Sequence, residues 1–252
     1  MAANSKIAWT DDTFNSWWGC KRVGPGCDNC YAATLDKRTG GAHWDGDTLP
    51  RRTKPANWNK PRKWDEQAKA NGTRRKVFCA SMADVFDNRV PPEWRCELFR
   101  LIQDTTSLDW ILLTKRIGNV AKMLPEDWGD GWPNVWLLIT AVNQEEADRD
   151  APKLAEIPAV VRGLSVEPQI EQVVLDYEWE GAIDWIITGA ESGPGARPYN
   201  EDWTRHLRDG CTTSGIAFFY KQKIDGGKKI ETPELDGRRW IEFPPEIGTP
   251  KP

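Results

Sequence analysis

Three cysteines lie close together near the start of the chain, and they are the residues best suited to chemistry. Six residues separate Cys20 from Cys27, and two separate Cys27 from Cys30. A Gly-Pro-Gly segment at 24–26 favours a turn between them, so we expect the loop to aim the three sulfurs at one point. Thiolates are soft ligands that suit zinc and iron–sulfur clusters. The spacing therefore predicts a metal centre.

The residues alone leave two kinds of metal centre open. Three local cysteines can hold a four-iron cluster and leave the fourth iron free for another ligand. A zinc site needs a fourth protein ligand, or a water in a catalytic site, and His43 is the candidate for that ligand. The alternative function is a zinc-binding or iron–sulfur nucleic-acid-binding module without radical chemistry, in which Cys20, Cys27, Cys30 and His43 serve structure only.

Composition narrows the class of protein. The chain has 252 residues, 15 tryptophans and a formal net charge of −4, a length that suits one α/β domain. The negative charge argues against a protein that binds nucleic acid over its whole surface. The sequence shows neither a signal-peptide pattern nor eighteen uninterrupted apolar residues, so we expect a soluble cytoplasmic protein without membrane contact. In that reducing compartment cysteines serve as ligands more often than as disulfides.

The elements that must position the cysteines follow an alternating pattern. Residues 13–18 favour a strand that ends at the cysteine loop, and 31–38 favour a helix. Later apolar runs predict buried parallel strands at 77–80, 110–113, 135–139, 160–164, 183–187 and 216–220. Helical spacing recurs between these runs. The pattern predicts an α/β fold, a complete or partial barrel of the triosephosphate-isomerase type with about seven parallel strands.

Polar side chains follow each predicted strand. In a β/α barrel these positions surround one mouth, where active sites are built, and the cysteine loop would share it. The residues that follow the six later strands in order are Ser81, Met82 and Asp84; Lys115 and Arg116; Asn143 and Gln144; Ser165 and Glu167; Glu191, with Arg197 further along; and Lys221.

A basic stretch at 51–76 stands out within the single predicted domain, 1–252. It carries ten Lys and Arg residues against Asp65 and Glu66, with Trp58 and Trp64 between them. Charge and indole stacking predict a surface for a polyanion or nucleotide. The alternative is a solvated insertion between barrel elements, since charge runs usually mark exposure.

The chain resembles an uncharacterised, largely phage and prophage family with a three-cysteine motif. That family is itself similar to radical S-adenosylmethionine enzymes and to spore photoproduct lyase-like proteins. The segments that carry the resemblance are 17–20, 24–32, 81–86, 113–116, 164–168, 189–198 and 218–222, and it ends near 235–240.

The resemblance implies a [4Fe-4S] cluster on Cys20, Cys27 and Cys30, with S-adenosylmethionine chelating the open iron. Reduction by a flavodoxin-type or ferredoxin-type partner would release a 5′-deoxyadenosyl radical that takes hydrogen from the substrate. We expect a nucleoside, nucleotide or nucleic acid as substrate. The implied roles are cofactor binding by Ser81, Met82, Asp84, Asn143, Gln144 and Ser165, catalysis by Lys115, Glu167, Glu191 and Lys221, and substrate binding by Arg116 and Arg197.

Overall fold

The computed structural model describes residues 5–44, 46, 48–176, 179, 181–193 and 195–245. The strands, in chain order, are β1 (Asp12–Phe14), β2 (Trp17–Trp18), β3 (Arg51–Arg52), β4 (Arg75–Cys79), β5 (Leu108–Thr114), β6 (Val135–Thr140), β7 (Val161–Val166), β8 (Trp185–Gly189), β9 (Ala217–Asp225), β10 (Lys228–Glu231), β11 (Glu234–Leu235) and β12 (Arg238–Arg239). The helices are α1 (Tyr31–Arg38), α2 (Pro55–Trp58), α3 (Lys60–Asn71), α4 (Pro92–Asp104), α5 (Ile117–Met123), α6 (Gln144–Ala155) and α7 (Glu201–Ser214).

One curled sheet of eight strands forms a partial β/α barrel. Its order is β1-β4-β5-β6-β7-β8-β9-β10, and neighbouring strands from β1 to β9 run parallel. Strand β10 turns back antiparallel to β9 through Gly226 and Gly227, whose φ angles of 53° and 77° suit a tight hairpin turn. The predicted fold class is confirmed in its partial form.

The first predicted strand, 13–18, is divided into two. Strand β1 pairs with β4 in the main sheet, whereas β2 pairs antiparallel with β3 in a separate ribbon. The chain leaves the sheet at Asn15, because its side-chain oxygen accepts a hydrogen bond from the Met82 amide at 2.8 Å and its carbonyl accepts one from Asn57. This bend directs the chain away from the sheet and toward the cysteine loop.

Tryptophan fills the inside of the barrel. Trp9, Phe78, Trp136, Trp185 and Phe219 form one buried cluster there, and their rings meet at tilted or edge-to-face angles. Aromatic pairs in such geometry add stability beyond the area that they bury. Much of the unusual tryptophan content is therefore core.

The basic stretch 51–76 contains the first crossover of the sheet. Helix α3 packs against β4 and β5 and presents Trp64 to the core, where the indole is 5% exposed. Trp58 is 8% exposed and lies beneath the guanidinium of Arg52. Both indoles are thus unavailable to a stacked base, and the predicted stacking surface on them is wrong. Within this stretch α3 packs against the main sheet, whereas β3 pairs with β2 in the separate ribbon.

In the part of the chain that the structure describes, none of the helices has the length and apolar character needed to span a membrane.

Candidate functional site

The cysteine loop lies over a cavity of about 770 Å³ at the carboxyl ends of the parallel strands. All three cysteines line this cavity together with most of the strand-end residues singled out in the sequence. Those residues are Ser81, Met82, Asp84, Lys115, Arg116, Ser165, Glu167 and Lys221. In a β/α barrel this edge is where side chains from separate strands converge.

Close packing shapes the cysteine loop. Pro25–Cys27 forms a single 3₁₀ turn, closed by a 2.9 Å hydrogen bond from the Cys27 amide to the Gly24 carbonyl. Gly24 has a φ of −171°, which is extended backbone that any residue adopts, so its small size is what matters here. A Cβ on Gly24 would lie 2.4 Å from Glu146 Oε1, and one on Gly26 would lie 2.7 Å from Val142 Cγ1. The two glycines let the loop approach α6 and the segment before it.

The three cysteines share the lining of one cavity. Cys27 is buried, and Cys20 and Cys30 are half-buried. Among the described residues, no three or more His, Cys, Asp or Glu side chains are grouped as a single metal ion requires. The expectation that the three sulfurs point to one place stays a prediction. A four-iron cluster makes a different demand, because each thiolate binds its own iron and the thiols must surround a shared space. The donor set of three thiols around a roomy cavity fits such a cluster.

His43 is bonded both to the cysteine loop and to α1, and its carbonyl accepts a hydrogen bond from the Cys20 amide at 3.2 Å. Its Nδ1 lies 2.9 Å from Oδ1 of the buried Asp36, and its amide donates to Oδ2 of the same carboxylate at 2.9 Å. These bonds fix the 41–44 segment against α1. A histidine whose Nδ1 bonds a carboxylate can still bind a metal through Nε2, so the zinc alternative stays a prediction.

One end of the loop is held by a buried charge cluster, which we call the Cys20 anchorage and define as Asp84, Asp87 and Arg116. The Arg116 guanidinium donates to Asp84 Oδ2 at 2.9 Å and to Asp87 Oδ2 at 3.4 Å. It also donates to Cys20 Sγ at 3.4 Å and to the Lys21 carbonyl. Arg116, which was predicted to bind substrate, thus donates a hydrogen bond to the sulfur of Cys20.

Electrostatics in this anchorage favour the charged forms of Arg116 and Asp87. Burial alone would lower the Arg116 pKa. The electrostatic interactions with Asp84, Cys20 and Asp87 are stronger than this effect, and the pKa is raised. Burial likewise opposes ionisation of Asp87, yet hydrogen bonds from Arg89 and the charge of Arg116 lower the Asp87 pKa. Burial raises the pKa of the Cys20 thiol to about 12, against the influence of Arg116.

Asp84 has little capacity left for a ligand. Its carboxylate accepts hydrogen bonds from the Thr114 hydroxyl at 2.8 Å, from the Phe86 amide and from the Lys115 amide, besides that from Arg116. Asp84 was predicted to bind a cofactor ammonium group. The structure instead places it as the central acceptor that joins the end of β4 to the end of β5.

The other end of the loop is held by a second cluster, the Asn29 anchorage, defined as Asn29, Glu191 and Arg197. The Asn29 side chain donates to Glu191 Oε2 at 2.9 Å and to the Gly195 carbonyl at 3.0 Å. Arg197 forms a 2.6 Å ion pair with Glu191 and reaches Asp28 at 3.4 Å. Burial opposes ionisation of Glu191, but hydrogen bonds from Arg197 and Asn29 lower its pKa. Neither Glu191 nor Arg197 lines the cavity.

Two predicted cofactor residues also lie outside the cavity. Asn143 caps α6, because its side-chain oxygen accepts from the Glu146 amide at 2.9 Å. Gln144 is bonded to Asp148 and to both backbone groups of Val174. Both side chains therefore hold the start of α6 in place.

The remaining strand-end residues face the cavity in pairs. Lys221 Nζ lies 2.9 Å from Glu167 Oε1, and the Ser165 hydroxyl donates to Glu167 Oε2 at 3.4 Å. Lys115 Nζ donates to the Thr140 hydroxyl at 3.2 Å. Charged groups from β5, β7 and β9 thus stand around one space.

Aromatic side chains that the sequence analysis did not select complete the lining. Trp18, Tyr31 and Trp44 all border the cavity. Tyr31 directly follows Cys30, and its hydroxyl donates to the Ser81 carbonyl at 2.9 Å while the residue as a whole stays 54% exposed. Burial of that hydroxyl raises the Tyr31 pKa to about 12. Its place beside a cysteine was the signal that could have identified it.

Fold and site together define a partial β/α barrel with a cysteine loop at the carboxyl edge of its strands. The chain belongs to the family described as Protein of unknown function (DUF5131), whose model matches residues 4–244. Among curated proteins, none matches the chain. The phage and prophage origin that the resemblance implies stays a prediction.

The fold is similar to that of spore photoproduct lyase, of which several solved structures match this chain. A cysteine-to-serine variant of that lyase has a TM-score of 0.50 and 12% identity, covering 84% of this chain and 74% of its own. The lyase complexed with dinucleoside spore photoproduct has a TM-score of 0.49 and 12% identity, covering 82% of this chain and 62% of its own. At 12% identity, the similarity shows a shared fold and nothing about function.

Proposed function

We propose that this protein is a radical S-adenosylmethionine-type enzyme that binds a [4Fe-4S] cluster through Cys20, Cys27 and Cys30. One observation carries the proposal: the three cysteines line the same cavity as the polar ends of β4, β5, β7 and β9 in a partial β/α barrel. A structural metal site has no need of such a cavity. A reactive centre does, because it must hold a cofactor and a substrate side by side away from bulk water.

The cluster, when bound, supplies the electron that cleaves S-adenosylmethionine and so provides a 5′-deoxyadenosyl radical for hydrogen abstraction. Residues of the chain hold and orient the reactants. Ser81, Met82 and Ser165 line the cavity at the ends of β4 and β7 and serve the cofactor. Lys115, Glu167 and Lys221 stand across the same space and serve the substrate.

The charge of the cavity supports an anionic substrate. Its described lining contains seven Lys and Arg residues but three Asp and Glu residues, whereas the whole chain has a formal charge of −4. Cations concentrated in a cleft attract phosphate groups, and the exposed ring of Tyr31 beside them can stack on a base. We therefore propose a nucleotide or nucleic acid as the substrate class, with a flavodoxin-type or ferredoxin-type protein as reductant.

Metal analysis tests the cluster. Anaerobic purification and reconstitution should give about four irons and four sulfides per chain, and Cys20→Ala, Cys27→Ala and Cys30→Ala should each lose most of that iron. Cys96→Ala is the matched control, since Cys96 is an exposed cysteine on α4 away from the cavity. Stoichiometric zinc without sulfide in the wild-type protein would contradict the proposal.

Cofactor cleavage tests the chemistry. The reconstituted protein, reduced in the presence of S-adenosylmethionine, should release 5′-deoxyadenosine and methionine, and the three cysteine variants should not. Single-stranded oligonucleotides or nucleotides should stimulate release more than the matching nucleosides. A reduced cluster that yields no 5′-deoxyadenosine under any of these conditions rules the proposal out.

A further inference from the structure

Arg116 differs from the other cavity cations in what its guanidinium touches. Its side chain is 9% exposed and lies between the carboxylates of Asp84 and Asp87, which are 6% and 3% exposed. From that position one nitrogen donates to Cys20 Sγ. Among the described residues, Cys20 is the cysteine of the loop whose sulfur receives a hydrogen bond from a charged side chain.

The partners of Arg116 are themselves fixed. Asp84 is held by amides and a hydroxyl at the ends of β4 and β5, and Asp87 is held by the amide and guanidinium of Arg89. A planar guanidinium bound to two fixed carboxylates has its donor directions set in advance. The nitrogen that faces Cys20 is therefore positioned by the protein and does not depend on the sulfur for its orientation.

The backbone next to Cys20 is held by the same groups. The Lys21 amide donates to Asp87 Oδ2 at 3.3 Å, and the Lys21 carbonyl accepts from Arg116. Both backbone polar groups of Lys21, the residue after the cysteine, are thus tied to the Cys20 anchorage. The arrangement fixes the position of the sulfur as well as its electrostatic surroundings.

We propose that Arg116 is a positioning residue for the iron–sulfur centre, which holds Cys20 and raises the reduction potential of the cluster through a hydrogen bond to its sulfur. This proposal rests on the proposed function. Hydrogen bonds to the ligand sulfurs and local charge are among the factors that set cluster potentials. A cationic donor stabilises the reduced, more negative cluster, so it makes reduction easier.

A redox titration followed by electron paramagnetic resonance tests the proposal on the reconstituted full chain. Arg116→Gln should shift the midpoint potential to a more negative value, and Arg116→Lys should give a smaller shift in the same direction. Arg89→Gln is the matched control, because Arg89 also binds Asp87 but has no contact with Cys20. It should leave the potential near that of the wild type.

An unchanged potential in Arg116→Gln overturns the proposal, and so does a shift in Arg89→Gln as large as that in Arg116→Gln. If Arg116→Gln fails to fold, Arg116→Lys decides, and a potential equal to the wild-type value overturns the proposal. Iron and sulfide analysis of the wild type separates this outcome from failure of the proposed function. A wild type without a cluster refutes both, whereas a wild type with a cluster and unmoved variants refutes only the role of Arg116.

Discussion

The two ends of the cysteine loop are held in different ways. The Cys20 anchorage is buried, joins the ends of β4 and β5, and reaches a sulfur directly. The Asn29 anchorage is partly exposed, joins the loop to the segment after β8, and binds Asn29 and Asp28 beside the cysteines. If the proposed cluster is bound, the first acts on both the structure and the metal centre, whereas the second acts only on where the loop lies.

Burial decides how strongly each anchorage stabilises the protein. Removing one partner of a buried ion pair leaves the other charged and desolvated, which costs far more than loss of an exposed pair. Arg197 is 27% exposed, three times the value for Arg116. Water can therefore take over part of the role of Glu191 if that carboxylate is lost.

The largest expected effect comes from Asp84→Asn. This change leaves the buried Arg116 charge without its nearest partner and should lower the free energy of unfolding by about 3 to 5 kcal/mol. Denaturant unfolding of the chain measures it. Asp104→Asn, in the exposed pair with Arg62, is the control and should cost roughly 0 to 1 kcal/mol. Equal losses in the two variants would show that the Cys20 anchorage stabilises the protein no more than an exposed ion pair does.

Gly26→Ala tests whether packing between the two anchorages also fixes the loop. The added Cβ would lie 2.7 Å from Val142, which is fully buried, so we expect a loss of roughly 1 to 3 kcal/mol and lower iron retention. Gly118→Ala is the control, because that glycine lies in α5 with open space around it, and it should stabilise the protein by up to about 1 kcal/mol. If Gly26→Ala causes no loss of stability or iron, the two anchorages alone fix the position of the loop.

Glu191→Gln weakens the Asn29 anchorage. It removes a charged acceptor from both Asn29 and Arg197, and we expect a loss of about 1 kcal/mol. Iron retention should fall moderately, while the potential of the iron that remains should match the wild type, because no sulfur contact changes. Iron analysis and redox titration together check this result. A shift in the reduction potential of Glu191→Gln would show that the Asn29 anchorage also affects the metal centre, as the Cys20 anchorage is expected to do.

The smallest expected effect is on acid stability. The folded-state pKa values of Asp87 and Glu191 lie below their usual range, so their contribution is present above the unfolded-state values, near pH 4, and is lost as the pH falls through the folded-state values. Unfolding free energies measured between about pH 2 and pH 5 should therefore decline less steeply in Glu191→Gln than in the wild type. Identical slopes would contradict the assigned Glu191 contacts.

The sequence predicted the structure best where a fully buried segment is compatible with only one kind of element. The run 135–139 is apolar throughout because β6 is covered on both faces, and its predicted and observed bounds nearly agree. The three cysteines were likewise predicted to share a site with the strand ends, and they line one cavity with them.

The direction in which a strand-end charge points was not predictable. Lys115 and Arg116 are adjacent and both cationic, yet Lys115 bonds to Thr140 on the neighbouring strand β6 while Arg116 bonds to Asp84 and Cys20. That choice depends on carboxylates distant in sequence. The burial of Trp64 was predictable, because Pro61, Trp64 and Ala68 recur at helical spacing, and the surrounding basic residues obscured this pattern.

The partial closure of the sheet has a consequence for the size of the substrate. Strands β1 and β10 end the sheet, and the cavity reaches Lys229 and Glu231 on β10 as well as the segment 5–9. A barrel whose edge strands stay apart is open along its side as well as at its mouth. A substrate therefore does not have to fit whole within about 770 Å³. Only its reacting unit has to enter, while the rest of a much longer molecule remains outside.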